Sequence, residues 1–500
     1  MTRRVVIIGG GLGGLTTAAI LAKNGFATTL LEQSNQIGGC LQCFVRRAPD
    51  GRMGKFETGM HFIGQVGEGR SLRRILDYLE ITADLHFAPL ATDAYNVVSL
   101  TSGDYAYAQG EAFVSQMAEY FPSQRDNIVR YYNLCSEIAR ASDILAERST
   151  AEHSALETQY RLAAADGVIR SLTADHTLQS VLSGILPLYD GRPGKTPFNL
   201  HALIFDFYNT DASRIASGSD QIARSLVRTI EKYGGEVKTR RRATQIVCND
   251  SQATSVRTNT DEEFAADIVV AAIHPSRLVG LLSDTRLIRP AYRSRIADLS
   301  QTMSCFVIYL HFAAGKVAYR NSNYYVYSTD PWKSAEHSDA TWPHVYMYMH
   351  FNNRSVDTHA ETGVIIAYMR YDEVARWSNS TVGHRGADYE EFKHRKAEKL
   401  LSVWAKKFPT DSQNVVTYYT STPLTWRDYT GTEGGSLYGI MRDIDLGAAG
   451  RISHKTRIPN VFLAGQNINS HGMQGTLVGT LLTTGEIVGI DNLRSQILKN

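Results

Sequence analysis

Val5-Val6-Ile7-Ile8-Gly9-Gly10-Gly11-Leu12-Gly13-Gly14 opens the chain and decides how the rest is read. The four apolar residues, all β-branched, have the composition of a short buried strand. The glycine run that follows contains Gly-x-Gly-x-x-Gly at Gly9, Gly11 and Gly14. Leu15 to Lys23 has helix-forming composition, with Leu15, Ala18, Ala19 and Ala22 on one face, and Gly25 ends it. Ala27 to Leu31 is a second strand, closed by Glu32, 18 residues after Gly14. Strand, glycine turn, helix and acid-ended strand in this order form a unit that binds a dinucleotide. Gly9 permits the turn, Gly11 lets backbone approach a pyrophosphate, and Gly14 lets helix and strand pack closely. The helix start around Leu12 and Gly13 offers free N–H groups to the phosphates. Glu32, with Gln33 beside it, is placed to accept hydrogen bonds from ribose hydroxyls.

Val5 to Ala22 is also uncharged and follows Arg3 and Arg4, as a signal peptide or membrane span would. Its glycines would make a poor apolar helix. No small-residue cleavage site leads into a new domain, and the pattern runs on into a second strand. It is read here as part of the fold.

The 500 residues suffice for two or three domains. Hydrophobic content of 43% and charged content of 20% describe a soluble globular chain. A net charge of +2 gives no electrostatic case for nucleic acid. The 26 tyrosines outnumber the 17 phenylalanines, which suits pockets with an apolar body and a polar edge. Cys40, Cys43, Cys135, Cys248 and Cys305 are odd in number and scattered. They argue against a secreted disulfide framework and for a reducing, cytoplasmic compartment.

Further along, Gly38-Gly39 precedes Cys40-Leu41-Gln42-Cys43, and Lys55 to Gly64 is a short element between turns. Leu72, Ile75, Leu76 and Leu79 predict a helix over 71–79. Gly110 to Ala163 has a long helical periodicity, continued by Thr173 to Leu188 and Asn199 to Tyr208, and reads as an inserted helical cap. Ser219 is the expected N-cap of a helix to Tyr233, ended by Gly234-Gly235. Short strands are expected at 236–238, 244–248, 254–258 and 267–272, where the dinucleotide fold resumes. Ser304 to Phe312, Asn323 to Tyr327, Val345 to Phe351 and Val364 to Arg370 predict the mixed sheet of a second domain. Tyr389 to Lys407 predicts a long helix, Val461 to Gly465 a last strand and Met473 to Ile490 a last helix.

The C-terminal segment Val461-Phe-Leu-Ala-Gly465-Gln466, then Gly472-Met473-Gln474-Gly475, mirrors the opening. A second helix start can face the electron-rich end of a flavin ring. Two chain ends folding together around an insertion suit FAD better than NAD.

With these residues in view, the chain resembles the FAD-dependent phytoene desaturase, carotenoid isomerase and retinol saturase flavoproteins. The resemblance rests on Gly9 to Gly14, Glu32, Gly38-Gly39-Cys40, Phe56 to Gly64, Thr422-Pro423-Leu424-Thr425 with Tyr429 and Tyr438-Gly439, and Leu463-Ala464-Gly465-Gln466. It is specific at both ends and follows only the general layout in the middle. Where the wider class commonly has an acid, this chain has Gln466. The resemblance implies an α/β fold: a Rossmann-like FAD-binding domain of the monoamine-oxidase and phytoene-desaturase type, with an inserted α+β substrate domain. The expected FAD-binding domain comprises 1–75, 215–285 and 455–500; 76–214 and 286–454 form the substrate domain and its helical cap. It further implies a long apolar polyene or isoprenoid substrate, peripheral membrane contact to extract it, and flavin redox at a carbon–carbon double bond: saturation, desaturation or cis–trans isomerisation.

The expected FAD contacts are Gly9, Gly11, Leu12, Gly13, Gly14, Glu32, Gln33, Gly38, Gly39, Gly59, Met60, His61, Val247 on the adenine side, Gly465, Gln466, Gly472, Met473 and Gln474. His61, Arg427 and Glu433 are the candidate catalytic groups, although neither Arg427 nor Glu433 is given a proton-transfer role. His61 is a contact to flavin or substrate, or a hydrogen-bonded loop histidine. Cys40-x-x-Cys43 is a redox dithiol, or a pair of packing residues. In Val345 to Phe351, Val345, Met347, Met349 and Phe351 share one face, which lines an apolar tunnel or ordinary core; the same alternatives hold for Tyr324, Tyr325 and Tyr327. Lys238 with Arg240-Arg241-Arg242 is a solvated edge or an anion contact. With one glycine fingerprint of this context, no separate NAD(P)H domain is expected, and the electron partner is left open. A flavin amine oxidase, or a non-catalytic prenyl-binding chaperone of the Rab escort and dissociation-inhibitor type, are the alternatives on the same scaffold.

Overall fold

The opening strand, Arg4–Ile8, lies in the middle of a five-stranded parallel sheet. Across the sheet the order is Glu236–Lys238, Ala27–Leu31, Arg4–Ile8, Ile268–Ala271 and Val461–Leu463. Val5 pairs with Thr28 on one side and Ile268 on the other, and Val270 pairs with Phe462. Head and tail of the chain therefore share one sheet. The computed structural model describes residues 2–146, 151–282, 285–352 and 358–499, and side chains at all of these except 151–154. Parallel strands covered on both faces bury every side chain, which is why Val5 to Ile8 and Ile268 to Ala271 read as unbroken apolar runs.

Helix Leu12–Lys23 is buried from Gly13 to Ala22. It lies between Asp220–Lys232 and the C-terminal helix Gly472–Val488. Thr483 Oγ1 donates to Leu463 O at 2.7 Å and ties that helix to the last strand. The expected single helix to Ile490 is broken at Gly489, whose φ of 88° ends one helix and starts another at Ile490–Leu498. Ser219 does not cap its helix: its hydroxyl is held by Glu57 Oε2 and Leu41 O instead.

The second sheet has seven strands, in the order Val415–Ser421, Ser304–Phe312, Thr362–Met369, Val345–Phe351, Asn323–Tyr327, Asn96–Leu100 and Gly103–Tyr107. All pairs are antiparallel except Asn323–Tyr327 with Asn96–Leu100. Alternation splits its side chains between two cores. Cys305, Val307, Tyr325, Met347, Met349 and Ile366 pack toward the helical insertion. Phe306, Ile308, Tyr346, Tyr348 and Ile365 pack toward helix Ala387–Lys407.

The insertion is a set of short helices, not one long one: Ala112–Tyr120, Arg125–Ala141, Ala151–Arg161, Ala165–Leu172, His176–Leu182 and Phe198–Thr210. Phe121, at φ −133° and ψ 69°, and Pro122 break the first stretch, because proline cannot continue a helix from its preceding turn. Residues 147–150 of the expected run lie outside the described residues. Thr173 stays extended, and the Asp175 carboxylate caps the next helix by accepting from Thr177 N and Leu178 N, both at 2.9 Å.

Candidate cofactor and substrate cavity

Three glycine-rich turns meet at the carboxyl ends of the parallel strands. They are Gly9–Gly13, Gly38–Gly39 and Gly465–Gln466. A Cβ on Gly13 would lie 2.9 Å from Gly465 Cα, and one on Gly39 would lie 3.2 Å from Gly11 Cα. Such approaches leave room for backbone alone. Gly38 N donates to Gly10 O at 2.7 Å and locks two of the turns together. Gly14 sits behind them: its Cβ would fall 1.9 Å from Gly9 O, so its place is in the strand–helix contact and outside the lining.

These turns floor a cavity of about 1110 Å³ that reaches from the glycine fingerprint to the seven-stranded sheet. Gly9, Gly11, Leu12, Gly13, Glu32, Gln33, Gly38, Gly39, Gly59, Met60, His61, Gly465, Gln466, Gly472 and Met473 all border it. Val247, Gln474 and Glu433 do not. Strand Ala243–Cys248 meets the cavity with its first two residues, Ala243 and Thr244, next to Arg241 and Arg242; Val247 lies farther along. Glu433 follows the chain reversal at Gly431, φ 71°, and is exposed.

Glu32 has two tasks. Its Oε2 accepts from Gly10 N and its Oε1 from Ser34 N, both at 2.7 Å. A carboxylate has about four lone-pair positions, so two remain for ribose hydroxyls. The glycine turns, the helix start and this acid fit the diphosphate and ribose of FAD.

His61 borders the middle of the cavity with its ring 6.1 Å from that of Phe351. Burial, and then the nearby Arg214 guanidinium, hold its pKa down at about 3. It is therefore a neutral imidazole at physiological pH. Its Nε2 is buried without a hydrogen-bond partner. Arg214 Nη1 donates to His61 O at 3.0 Å and Nη2 to Asn323 Oδ1 at 2.9 Å, which fixes the turn carrying His61.

Arg427 borders the cavity near exposed Val382 and Tyr429. Its Nη1 donates to Tyr371 Oη and Ser378 O, each at 2.9 Å, and its Nε to Asp428 Oδ1 at 2.8 Å. These bonds clamp the loop after the Thr362–Met369 strand, and leave Arg427 a holder of the mouth.

Cys40 borders the cavity, with burial pushing its thiol up to about 11. Cys43 is turned away: its Sγ donates to Glu57 Oε2 at 3.2 Å, and burial, with the Glu57 charge, raises its pKa strongly. All five cysteines are free thiols. The two thiols thus sit in separate surroundings, both in the unreactive protonated form.

The far end of the cavity is apolar: Leu188, Cys305, Met347, Met349, Ile366 and Leu437. Aromatic rings from Phe62, Tyr208, Trp426 and Tyr438 complete it, the Tyr208 ring tilted 38° to that of Phe62 with centroids 4.2 Å apart. Met347 and Met349 follow from the alternation of their strand. Tyr208, Leu188 and Ile366 were not legible, because a cavity-facing apolar residue has the same signature as a core residue. Among the described lining residues, Glu32 and Asp428 are the only carboxylates, one under the fingerprint and one at the mouth beside Arg427.

The sequence profile of the flavin containing amine oxidoreductases matches residues 12–483. The chain is 28% identical to an all-trans-retinol 13,14-reductase of Rattus norvegicus, over 97% of this chain and 85% of that protein. It is 22% identical to prolycopene isomerase 2 of an Oncidium hybrid cultivar, over 92% of this chain and 79% of that one. A solved oxidoreductase structure from Methanosarcina mazei shares the fold, with TM-score 0.64 and 14% identity over 96% of this chain and 99% of the other.

Proposed function

This chain belongs to the flavin containing amine oxidoreductase family and its cofactor is FAD, and from that premise we propose that it carries out redox chemistry at a carbon–carbon double bond of a long apolar polyene. The observation that carries this reading is the cavity's buried end, built from methionine, aliphatic and aromatic side chains with no carboxylate among its described lining residues. The retinol reductase and prolycopene isomerase relatives support it, being named for polyene substrates. An amine oxidase on this scaffold would bring a cationic substrate to a place where no described lining residue carries a counter-charge, and desolvation disfavours it there.

In this reading Gly9 to Gly13 pass the diphosphate, Glu32 holds the adenosine ribose, and Gly465, Gln466 and Met473 border the ribityl chain and ring. FAD supplies two-electron transfer at its ring. The protein supplies position and dryness. Met347, Met349 and Ile366 present a flat apolar wall that orients an extended chain and excludes water. His61, being neutral, offers one donor and one acceptor without adding a charge to that wall. At the mouth, Val382 and Tyr429 are 49% and 53% exposed and give an apolar route into the cavity from a membrane surface. Among the described residues no helix is long and apolar enough to cross a membrane, so the proposed contact is peripheral. The electron partner is a further protein or small molecule.

The test is anaerobic mixing of the FAD-loaded protein with all-trans polyenes and, separately, with amines. The expected result is that a polyene bleaches the visible flavin band, or restores it after chemical reduction, while amines do neither. Bleaching by amines alone would overturn the reading.

A further inference from the structure

Phenols crowd the sheet face behind the apolar end of the cavity; among the described strand residues of that face, Tyr309, Tyr327 and Tyr368 pair their hydroxyls and Tyr325 does not. Tyr327 Oη donates to Gly184 O at 3.0 Å, and Tyr368 Oη donates to Leu186 O at 3.4 Å. Tyr309 Oη shares a hydrogen bond with Ser421 Oγ at 3.4 Å. Tyr438, which borders the cavity, donates to Pro187 O at 2.9 Å. Tyr325 is 0% exposed, and its hydroxyl has no partner.

A buried hydroxyl left unpaired is unfavourable, and native structures keep few of them. The position of this one says what it faces. Its direct cross-strand neighbour, Met347, borders the cavity. Tyr208 and Tyr438 border it too, and their phenols lie close enough to Tyr325 to oppose its ionisation. Tyr325 does not itself border the cavity: its hydroxyl lies directly behind Met347, Tyr208 and Tyr438, which close the apolar end.

We infer that Tyr325, flanked by Tyr208 and Tyr438, forms a polar subsite for an oxygen-bearing end group, hydroxyl or carbonyl, of the polyene. The inference rests on the polyene reading above and deepens it. A substrate oxygen that enters between Tyr208 and Tyr438 accepts the hydrogen of the Tyr325 hydroxyl behind them. Tyr438, whose own hydrogen is committed to Pro187 O, keeps a lone pair to accept from a substrate hydroxyl. An extended hydrocarbon in an apolar slot has no fixed register. One anchored end sets which double bond lies over the reacting ring.

The experiment compares a polyene alcohol with the hydrocarbon of equal length and unsaturation. Their equilibrium binding to the FAD-loaded protein is followed by perturbation of the flavin spectrum, in the native protein and in Tyr325→Phe. The native protein is expected to bind the alcohol about tenfold or more tightly than the hydrocarbon, and Tyr325→Phe to bind both alike. Without substrate, Tyr325→Phe should melt no lower than the native protein, because only an unpaired hydroxyl is removed. Equal binding of the two ligands by the native protein overturns the subsite while leaving the polyene reading standing. So does a preference that survives in Tyr325→Phe, or a variant that melts markedly lower. Binding of neither ligand overturns both.

Discussion

Gly13→Val is expected to purify without flavin. Its first added carbon would lie 2.9 Å from Gly465 Cα and 3.3 Å from Gly465 N, so the clash is with backbone and no side chain can swing aside. The helix start that faces the phosphates must then move away from the turn after strand Val461–Leu463. Overpacking of this kind costs about 1–3 kcal/mol. Charged to the assembled cradle, it weakens FAD binding by roughly ten- to a hundredfold. Flavin absorbance per chain after gel filtration measures it, and circular dichroism shows that the chain is folded. Gly167→Ala is the control. It lies inside helix Ala165–Leu172, where an added carbon meets nothing within 4 Å. It should keep its flavin and gain about 0.5–1 kcal/mol.

The largest effect away from the cavity is expected at Asp411, which is 1% exposed on the opposite face of the seven-stranded sheet. Its Oδ2 is held by Arg320 Nη1, by Tyr348 Oη at 2.8 Å and by His350 Nε2 at 3.2 Å. Asp411→Leu leaves a guanidinium and a buried imidazole facing an apolar side chain. Breaking such a pair from one side costs about 3–5 kcal/mol. Burial pushes the Asp411 carboxyl up, but the bonds from His350 and Arg320 outweigh it and hold the pKa below the ordinary aspartate value. The folded carboxyl therefore titrates lower than the unfolded one. Its contribution is complete above the unfolded value near 4, and is lost as pH falls through the lower folded value. Denaturant unfolding should show the full deficit of the variant at pH 7, and a shrinking deficit as the solution is acidified below about pH 4. Flavin content of the folded variant should match that of the native protein, since the network faces away from the cavity. A deficit that does not change with pH would mean that the packing of Asp411, and not its charge, is what counts.

Much of this architecture was legible because its signals are short in range. Val5 to Glu32 carries strand, turn, helix and acid within one stretch. Strands Ser304–Phe312, Asn323–Tyr327 and Val345–Phe351 lie where their apolar and alternating composition placed them. The α/β class with a Rossmann-like FAD-binding unit follows from the same signals and agrees with the fold. What escaped depends on pairing between distant segments. The hairpin Cys43–Arg47 with Met53–Glu57 mixes the charged Arg46, Arg47 and Lys55 with buried Cys43 and Phe56, so its alternation is masked. The Cys40-x-x-Cys43 spacing drew the eye to thiol chemistry, where the structure has a strand start and a thiol bonded to Glu57. Ser219 had the composition of a cap, but the Glu57 carboxylate takes its hydroxyl. Glu433 lay close in sequence to Arg427, yet it is exposed and stays outside the cavity lining that Arg427 joins. Tyr325 looked like any tyrosine of an alternating strand. Only the partners of its neighbours mark its hydroxyl as different.

The account stands on one arrangement: fingerprint, Gly38–Gly39 turn and C-terminal glycine segment form a single FAD cradle that opens onto an apolar chamber. A crystal structure of the FAD-loaded protein tests this most directly. The expected density places the adenosine ribose against the Glu32 carboxylate, the diphosphate over Gly11 to Gly13, and the ring beside Gly465 and Gln466, facing the wall of Met347 and Met349. Flavin density anywhere else, or side chains filling the space above Gly11 and Gly13, would contradict it.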